Sequence, residues 1–185
     1  NKLLARGIEI NFARTTTGDG YYIWNRKLSA EANRDLFYFM LLVVADNAVA
    51  RAASKGHTVP VIRTGYHIGG HYELYQAEGV NPTVFSYIVG DVTIELARMV
   101  DLAQESQILV GDFNCESPVW HADEEGRPVA KAAPMISAPA FVAACNRELA
   151  AVQGTQLAGK PISSMSCFLS EGDKDAAKSG PRRFR

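Results

Sequence analysis

Asp19, in the run Thr17-Gly18-Asp19-Gly20-Tyr21-Tyr22, and Arg98, closing the run Gly90-Asp91-Val92-Thr93-Ile94-Glu95-Leu96-Ala97-Arg98, are the side chains whose settings suit chemistry. A carboxylate on a turn offers the hard oxygen that magnesium selects. A guanidinium is permanently charged and presents a planar fork of donors, matched to phosphate oxygens. Each also has a plainer reading. Asp19-Gly20 lies between the alternating Ile8, Ile10, Phe12 and the aromatic run from Tyr21 to Trp24, which is a hairpin signal because Asp-Gly accepts positive φ angles. Arg98 lies where Val92, Leu96, Met99, Val100 and Ala103 recur at helical spacing, and an arginine on such a helix is ordinarily solvated or ion-paired. His67 and His71 are four apart, but Gly69-Gly70 between them breaks any shared helix face, and no third ligand is near in sequence. The Gly-Gly pair reads instead as a bend in a hairpin or a close backbone approach.

The elements that must hold these residues follow from periodicity. Gly7 to Arg14 reads as a strand and Tyr21 to Arg26 as its hairpin partner. Ser29 sits like an N-cap before a helix reaching about Ala53, whose apolar face is Leu36, Phe39, Met40, Val43 and Val44, with Lys55-Gly56 as its stop. Val59 to Ile68 reads as a strand returning through Tyr72 to Tyr75. Ala77 to Pro82 reads as loop, Thr83 to Val89 as a short strand, and Gly90-Asp91 opens the arginine helix. Gln107 to Val110 is a further strand, Pro139 to Val152 an Ala-rich helix, and Glu171 to Pro181 a polar, flexible stretch.

Composition sets outer limits. With 185 residues, 47% of them hydrophobic, the chain is long enough for one substantial core and too short to divide into two. A net charge of −1 gives no basic excess for nucleic acid or an anionic membrane. Cys115, Cys145 and Cys167 are an odd count without metal-ligand spacing, so a reducing, cytoplasmic setting is expected. The longest apolar run, Phe39 to Ala45, is short of a membrane span, and no membrane role is expected. Asn1 to Arg6 reads like the end of a helix, so the chain is expected to begin inside a domain, with something upstream missing.

The order and separation of the two Gly-Asp runs, with Arg63-Thr64-Gly65-Tyr66-His67-Ile68-Gly69-Gly70 between them, resemble a class III nucleotide cyclase domain from about Ile8 to Val110. The resemblance implies an α+β sandwich, an antiparallel sheet in a ferredoxin-like βαββαβ core covered by helices. Residues 1–185 would form a single catalytic domain lacking its first strand, with 154–185 an irregular C-terminal extension. It implies the reaction in which a ribose 3′-hydroxyl attacks the α-phosphorus of a nucleoside triphosphate and pyrophosphate leaves. Asp19 matches one of the two carboxylates that hold two Mg²⁺ or Mn²⁺ ions in that family. No residue before Gly18 supplies the other, and Asp46, inside the apolar helix, reads as structural. Arg98 matches the arginine that stabilises charge on the five-coordinate phosphorus. Ile94 stands where the family has a ribose-aligning Asn, and an aliphatic side chain makes no hydrogen bond; Thr93 and Glu95 are the neighbours with polar groups to stand in.

Aligned through the two Gly-Asp runs, Thr15 and Tyr87 fall at the base-selecting positions, and neither is a purine-selecting residue of the family. A tyrosine at the base edge leaves less room than Asp for two rings, so UTP or CTP is the expected substrate, similar to the pyrimidine cyclases of bacterial anti-phage defence (Pycsar). The alternatives are an atypical adenylate cyclase making cyclic AMP and a non-catalytic cyclase-like regulatory module. Arg14 beside the pocket, and Arg182, Arg183 and Arg185 at the tail, are candidate triphosphate contacts, with surface solvation the plainer assignment for the tail. The resemblance also implies a head-to-tail homodimer with active sites at the subunit interface.

Overall fold

The computed structural model describes residues 12–54, 58–77, 84–105, 107–118, 134–149, 156–157 and 160–161. The expected strand before Phe12, the Lys55-Gly56 helix stop, Cys167, most of the C-terminal extension and the three tail arginines lie outside them. The described residues form a mixed α+β fold. Ten short strands occur in five two-stranded ladders, four of them antiparallel, with three helices.

Strands β1 (Phe12–Thr16) and β2 (Tyr21–Asn25) form the first hairpin, with Ala13 opposite Trp24 and Thr15 opposite Tyr22. Helix α1 (Ala30–Ala53) begins where expected: the Ser29 side chain accepts a hydrogen bond from the Ala32 amide at 3.1 Å, and Glu31 in the first turn complements the helix dipole. Its face of Leu36, Phe37, Tyr38 and Leu42 is buried in the core. By length and composition α1 is apolar enough to cross a membrane, with an 18-residue window of mean hydropathy 1.5, but in this fold it packs against β2 and the strands below. Its last turns hold the following segment, since Asn47 donates to the Pro60 carbonyl and Arg51 to the Val59 carbonyl.

The second half departs from the expected hairpin. Only Thr64–Tyr66 forms a strand, β3, and it pairs in parallel with β6 (Ile108–Val110). The return segment, β4 (Tyr72–Ala77), pairs with β5 (Val84–Val89), and that is the second antiparallel hairpin. Burial decides the difference. Tyr66 is 2% exposed and anchors β3 in the core, whereas β4 leaves Tyr72, Leu74 and Tyr75 exposed. Helix α2 (Asp91–Leu102) follows β5 and packs Leu96, Met99 and Val100 against Gly65.

Beyond β6, β7 (Asn114–Glu116) pairs with β8 (Met135–Ser137), and α3 (Ala138–Leu149) covers that pair. The ladder escapes sequence reading because its strands are three residues each and lie far apart in the chain. A last short pair joins β9 (Gln156–Leu157) and β10 (Lys160–Pro161).

One aromatic cluster joins these layers. Phe141 of α3 stacks on Tyr66 at 5.8 Å and meets Phe37 and Phe113 edge-on at 5.6 and 5.7 Å. Two tyrosines place hydroxyls inside without orphaning them: Tyr66 donates to the Asn33 carbonyl at 2.9 Å and Tyr38 to the Cys145 carbonyl at 3.1 Å. Burial pushes the Tyr66 pKa well above its ordinary value, so the hydroxyl stays a donor.

Candidate functional site

Asp19 lies at the tip of the β1–β2 turn, which the Thr17 amide closes by donating to the Gly20 carbonyl at 2.9 Å. The positive φ falls on Gly18, at +85°, rather than on Asp19-Gly20, so this four-residue turn differs from the two-residue form that Asp-Gly suggests. Asp19 is exposed, and so is Arg14 on β1.

The connection into α2 is tighter. Gly90 precedes the helix at φ +154°, and a Cβ there would stand 2.9 Å from the Gly70 carbonyl oxygen and 3.1 Å from the His71 Cα. Only glycine meets both demands. Gly69 likewise abuts Val92, where a Cβ would lie 3.2 Å away, so the Gly69-Gly70 segment is a close backbone approach. The first turn of α2 is tied to the first hairpin by the Tyr22 hydroxyl, which donates to the Thr93 carbonyl at 3.2 Å.

On α2, Val92, Leu96 and Met99 face inward, while Ile94 and Arg98 are exposed one helical turn apart on the outer surface. Neither neighbour of Ile94 is at leisure to replace an asparagine. Thr93 donates its hydroxyl to the Gly90 carbonyl at 2.7 Å, and Glu95 turns inward to His67, with Oε2 2.9 Å from Nε2. The other His67 nitrogen, Nδ1, lies 2.9 Å from the Ile68 carbonyl. Both ring nitrogens therefore lie within hydrogen-bond distance of an oxygen. This half-buried contact fastens α2 to the end of β3. The histidine spacing alone did not reveal it, because the partner lies 28 residues away.

Gly111 makes room for that histidine. A Cβ at Gly111 would lie 2.1 Å from His67 Cδ2. Gly111→Ala is expected to displace the ring and cost about 1–3 kcal/mol of stability, as overpacking does. Thermal unfolding measures this, and adding His67→Ala should recover part of the loss; no change in the single variant would show that the ring moves aside freely.

β1 packs beside β5, which brings the strands bearing Thr15 and Tyr87 next to each other. Thr15 is half-buried, and Tyr87 is 40% exposed, directly opposite Leu74. Tyr72 pairs with Val89 on the same face, so Tyr72, Leu74, Tyr87 and Val89 make one exposed apolar surface. The opposite face carries Glu73, Tyr75, Ser86 and Ile88. There Arg26 bonds Glu73 at 3.1 Å, and although burial works against its charge, hydrogen bonds from Tyr75, Arg26 and Trp24 hold the Glu73 carboxylate below its ordinary pKa. The Trp24 indole N–H is otherwise buried without a hydrogen bond of normal geometry.

Among the described residues, Asp19, Arg14 and Arg98 form no ion pair and no side-chain hydrogen bond, with each other or with other groups, and remain available to a ligand. Of the candidate residues, Thr15 and Tyr87 share neighbouring strands, Ile94 and Arg98 share a helix face, and Asp19 stands on its own turn. Cys115 is not a ready nucleophile, since burial, reinforced by Glu116, pushes its thiol up to about 11. Comparison of the chain with protein-family models, with curated proteins and with solved structures finds no match.

Proposed function

We propose that the chain is a class III-like nucleotide cyclase that converts a nucleoside triphosphate, with UTP or CTP favoured, into a 3′,5′-cyclic nucleotide and pyrophosphate. The observation that carries the reading is the outer face of α2. A glycine-capped helix beginning at Asp91 presents Arg98 exposed and, among the described residues, unpaired, while the hairpin bearing Asp19 is tied to its first turn through Tyr22 and Thr93. The finer fold, a ferredoxin-like βαββαβ core, belongs to this proposal; its succession is contained in β2, α1, β4, β5, α2 and β6, to which the chain adds β1 and β3.

In this reading Arg98 binds the triphosphate and stabilises the negative charge that gathers on the α-phosphoryl group as the ribose 3′-hydroxyl attacks. Arg14 offers a second cationic contact from the hairpin. Asp19, an exposed carboxylate, has the donor chemistry for Mg²⁺ or Mn²⁺, which when bound would neutralise phosphate charge and acidify the attacking hydroxyl. Thr15 and Tyr87 border the base, and the exposed apolar surface around Tyr87 suits a homodimer that completes each site with residues of both copies. Cytoplasmic signalling in anti-phage defence is the setting this chemistry suggests. Ile94 supports a second reading, a non-catalytic nucleotide-binding module, because an exposed aliphatic side chain there cannot align a ribose.

Incubating the protein with ATP, GTP, CTP and UTP in the presence of Mn²⁺, with products identified by mass, tests the proposal. A cyclic pyrimidine nucleotide is the expected product, and Tyr87→Ala is expected to relax base preference by about ten- to two-hundred-fold, more than it slows the best substrate. Cyclic AMP alone would leave the adenylate cyclase reading, and nucleotide binding without any cyclic product would leave the non-catalytic one.

A further inference from the structure

We infer that the free edge of β4 is an interaction surface for a second copy of this chain, the two β4 strands pairing antiparallel about a two-fold axis at Leu74. Among the described residues β4 pairs with β5 on one side, and no other element runs along its other side. There the outward N–H and C=O groups of alternate residues have no strand to bond, which makes such an edge a template for another chain. Edges that stay free are commonly very short, or carry lysine or proline. β4 is six residues long and has neither, and Tyr72, Leu74 and Tyr75 on it are 75%, 52% and 62% exposed. None of Arg14, Thr15, Asp19, Ile94 and Arg98 is on β4, so the inference does not rest on the nucleotide reading.

The side chains of β4 fit a second copy and set the register. Residues that oppose each other in an antiparallel pair lie on the same face, so a two-fold axis normal to the sheet must pass through a residue and not between two. With the axis at Leu74, Leu74 faces Leu74, Tyr72 faces Gln76 and Glu73 faces Tyr75 of the second copy, while Tyr72 stands diagonal to Leu74 and within its reach. Exposed apolar groups are thereby shared. Charge agrees with this register: Glu73 is the one acid or base on the strand, the two copies of it stand diagonal and not opposite, and each is already paired with Arg26 of its own chain at 3.1 Å. An axis at Glu73 would set two carboxylates directly opposite, and one at Tyr75 would set Leu74 against Gln76 and carry Tyr72 past the end of the partner strand. The contact is one strand wide, so the dimer is weak and depends on concentration.

Sedimentation velocity on the full chain over a series of protein concentrations tests the pairing without reference to catalysis. The expected result is a monomer–dimer equilibrium that moves toward dimer as concentration rises. Leu74→Lys and Leu74→Glu each set like charges face to face and are each expected to weaken dimerisation by about tenfold or more. An equimolar mixture of the two is expected to recover it as heterodimer, because opposite charges then meet at the axis. Val89→Lys lies on the same face but one strand in from the edge, so it should leave the equilibrium unchanged, whereas packing of the apolar faces against each other would be lost. Circular dichroism checks that each variant is folded. Tyr72 and Gln76, both exposed, decide the matter if the Leu74 variants do not fold: Tyr72→Glu with Gln76→Glu is expected to weaken the dimer, and Tyr72→Glu with Gln76→Lys to keep it. A monomer at every concentration, as when another protein or another segment of this chain covers the edge, would overturn the assignment. So would a dimer indifferent to charge at Leu74 or at Tyr72 and Gln76, a mixture that stays monomeric, or a dimer lost in folded Val89→Lys.

Discussion

Alanine at Asp19 or at Arg98 is expected to lower cyclic nucleotide formation by roughly 100- to 1,000-fold, the usual loss when one charge-stabilising group is removed from a transition state. The folded state should scarcely register either change. Both side chains are exposed and, among the described residues, unpaired, so truncation leaves neither a cavity nor an orphaned partner. Substitutions of that kind usually move stability by less than about 0.5 kcal/mol. Product analysis and thermal unfolding on the same preparations separate the two effects. A folded Asp19→Ala protein with normal turnover would remove Asp19 from the site, and an unfolded one would make it a structural turn residue. If the two groups act across a subunit interface, mixing the two inactive variants should restore part of the activity through heterodimers carrying one intact site. Failure to recover activity once subunit exchange is verified would place both groups within one chain.

The largest loss of stability is expected at Phe141→Ala, about 3–5 kcal/mol. Phe141 is fully buried and is the ring at which α1, β3, the loop before β7 and α3 meet, through Phe37, Tyr66 and Phe113. Truncation removes three aromatic contacts at once and leaves a void bounded by rigid rings that cannot collapse into it. Domains of this kind have only about 5–15 kcal/mol in total, so the variant should unfold at a markedly lower urea midpoint. Phe141→Leu keeps most of the volume and should lose less. Equal midpoints for wild type and Phe141→Ala would mean that α3 does not contribute to the cooperative core.

Local chemistry made several elements legible before any coordinates. Ser29 marked the start of α1 because a hydroxyl followed by an apolar period satisfies the first free amides of a helix, and its bond to Ala32 is that device. Gly90-Asp91 marked the start of α2, and the i, i+4, i+7 run of Val92, Leu96 and Met99 told which face turns inward, hence that Arg98 turns outward. The Asp19 turn was legible as a turn, though its positive φ sits on Gly18. Sequence also separated the charged candidates from the apolar core, since periodicity of 2 or 3.6 sorts residues by face without reference to partners.

Pairing across the chain was decided by tertiary structure alone. Tyr66 draws β3 beside β6, 44 residues away in register, and leaves β4 to β5; nothing in the local pattern distinguishes that from a hairpin through Gly69-Gly70, because a strand's alternation specifies its faces and not its neighbour. The same limit hid the His67–Glu95 contact, the seat that Gly111 leaves for the imidazole and the β7–β8 ladder. Each is a meeting of residues distant in sequence, and burial of the Phe37, Tyr66, Phe113 and Phe141 rings in one cluster is what brings those segments together. Chain order therefore determined which groups are available for chemistry, and packing determined which of them stand side by side.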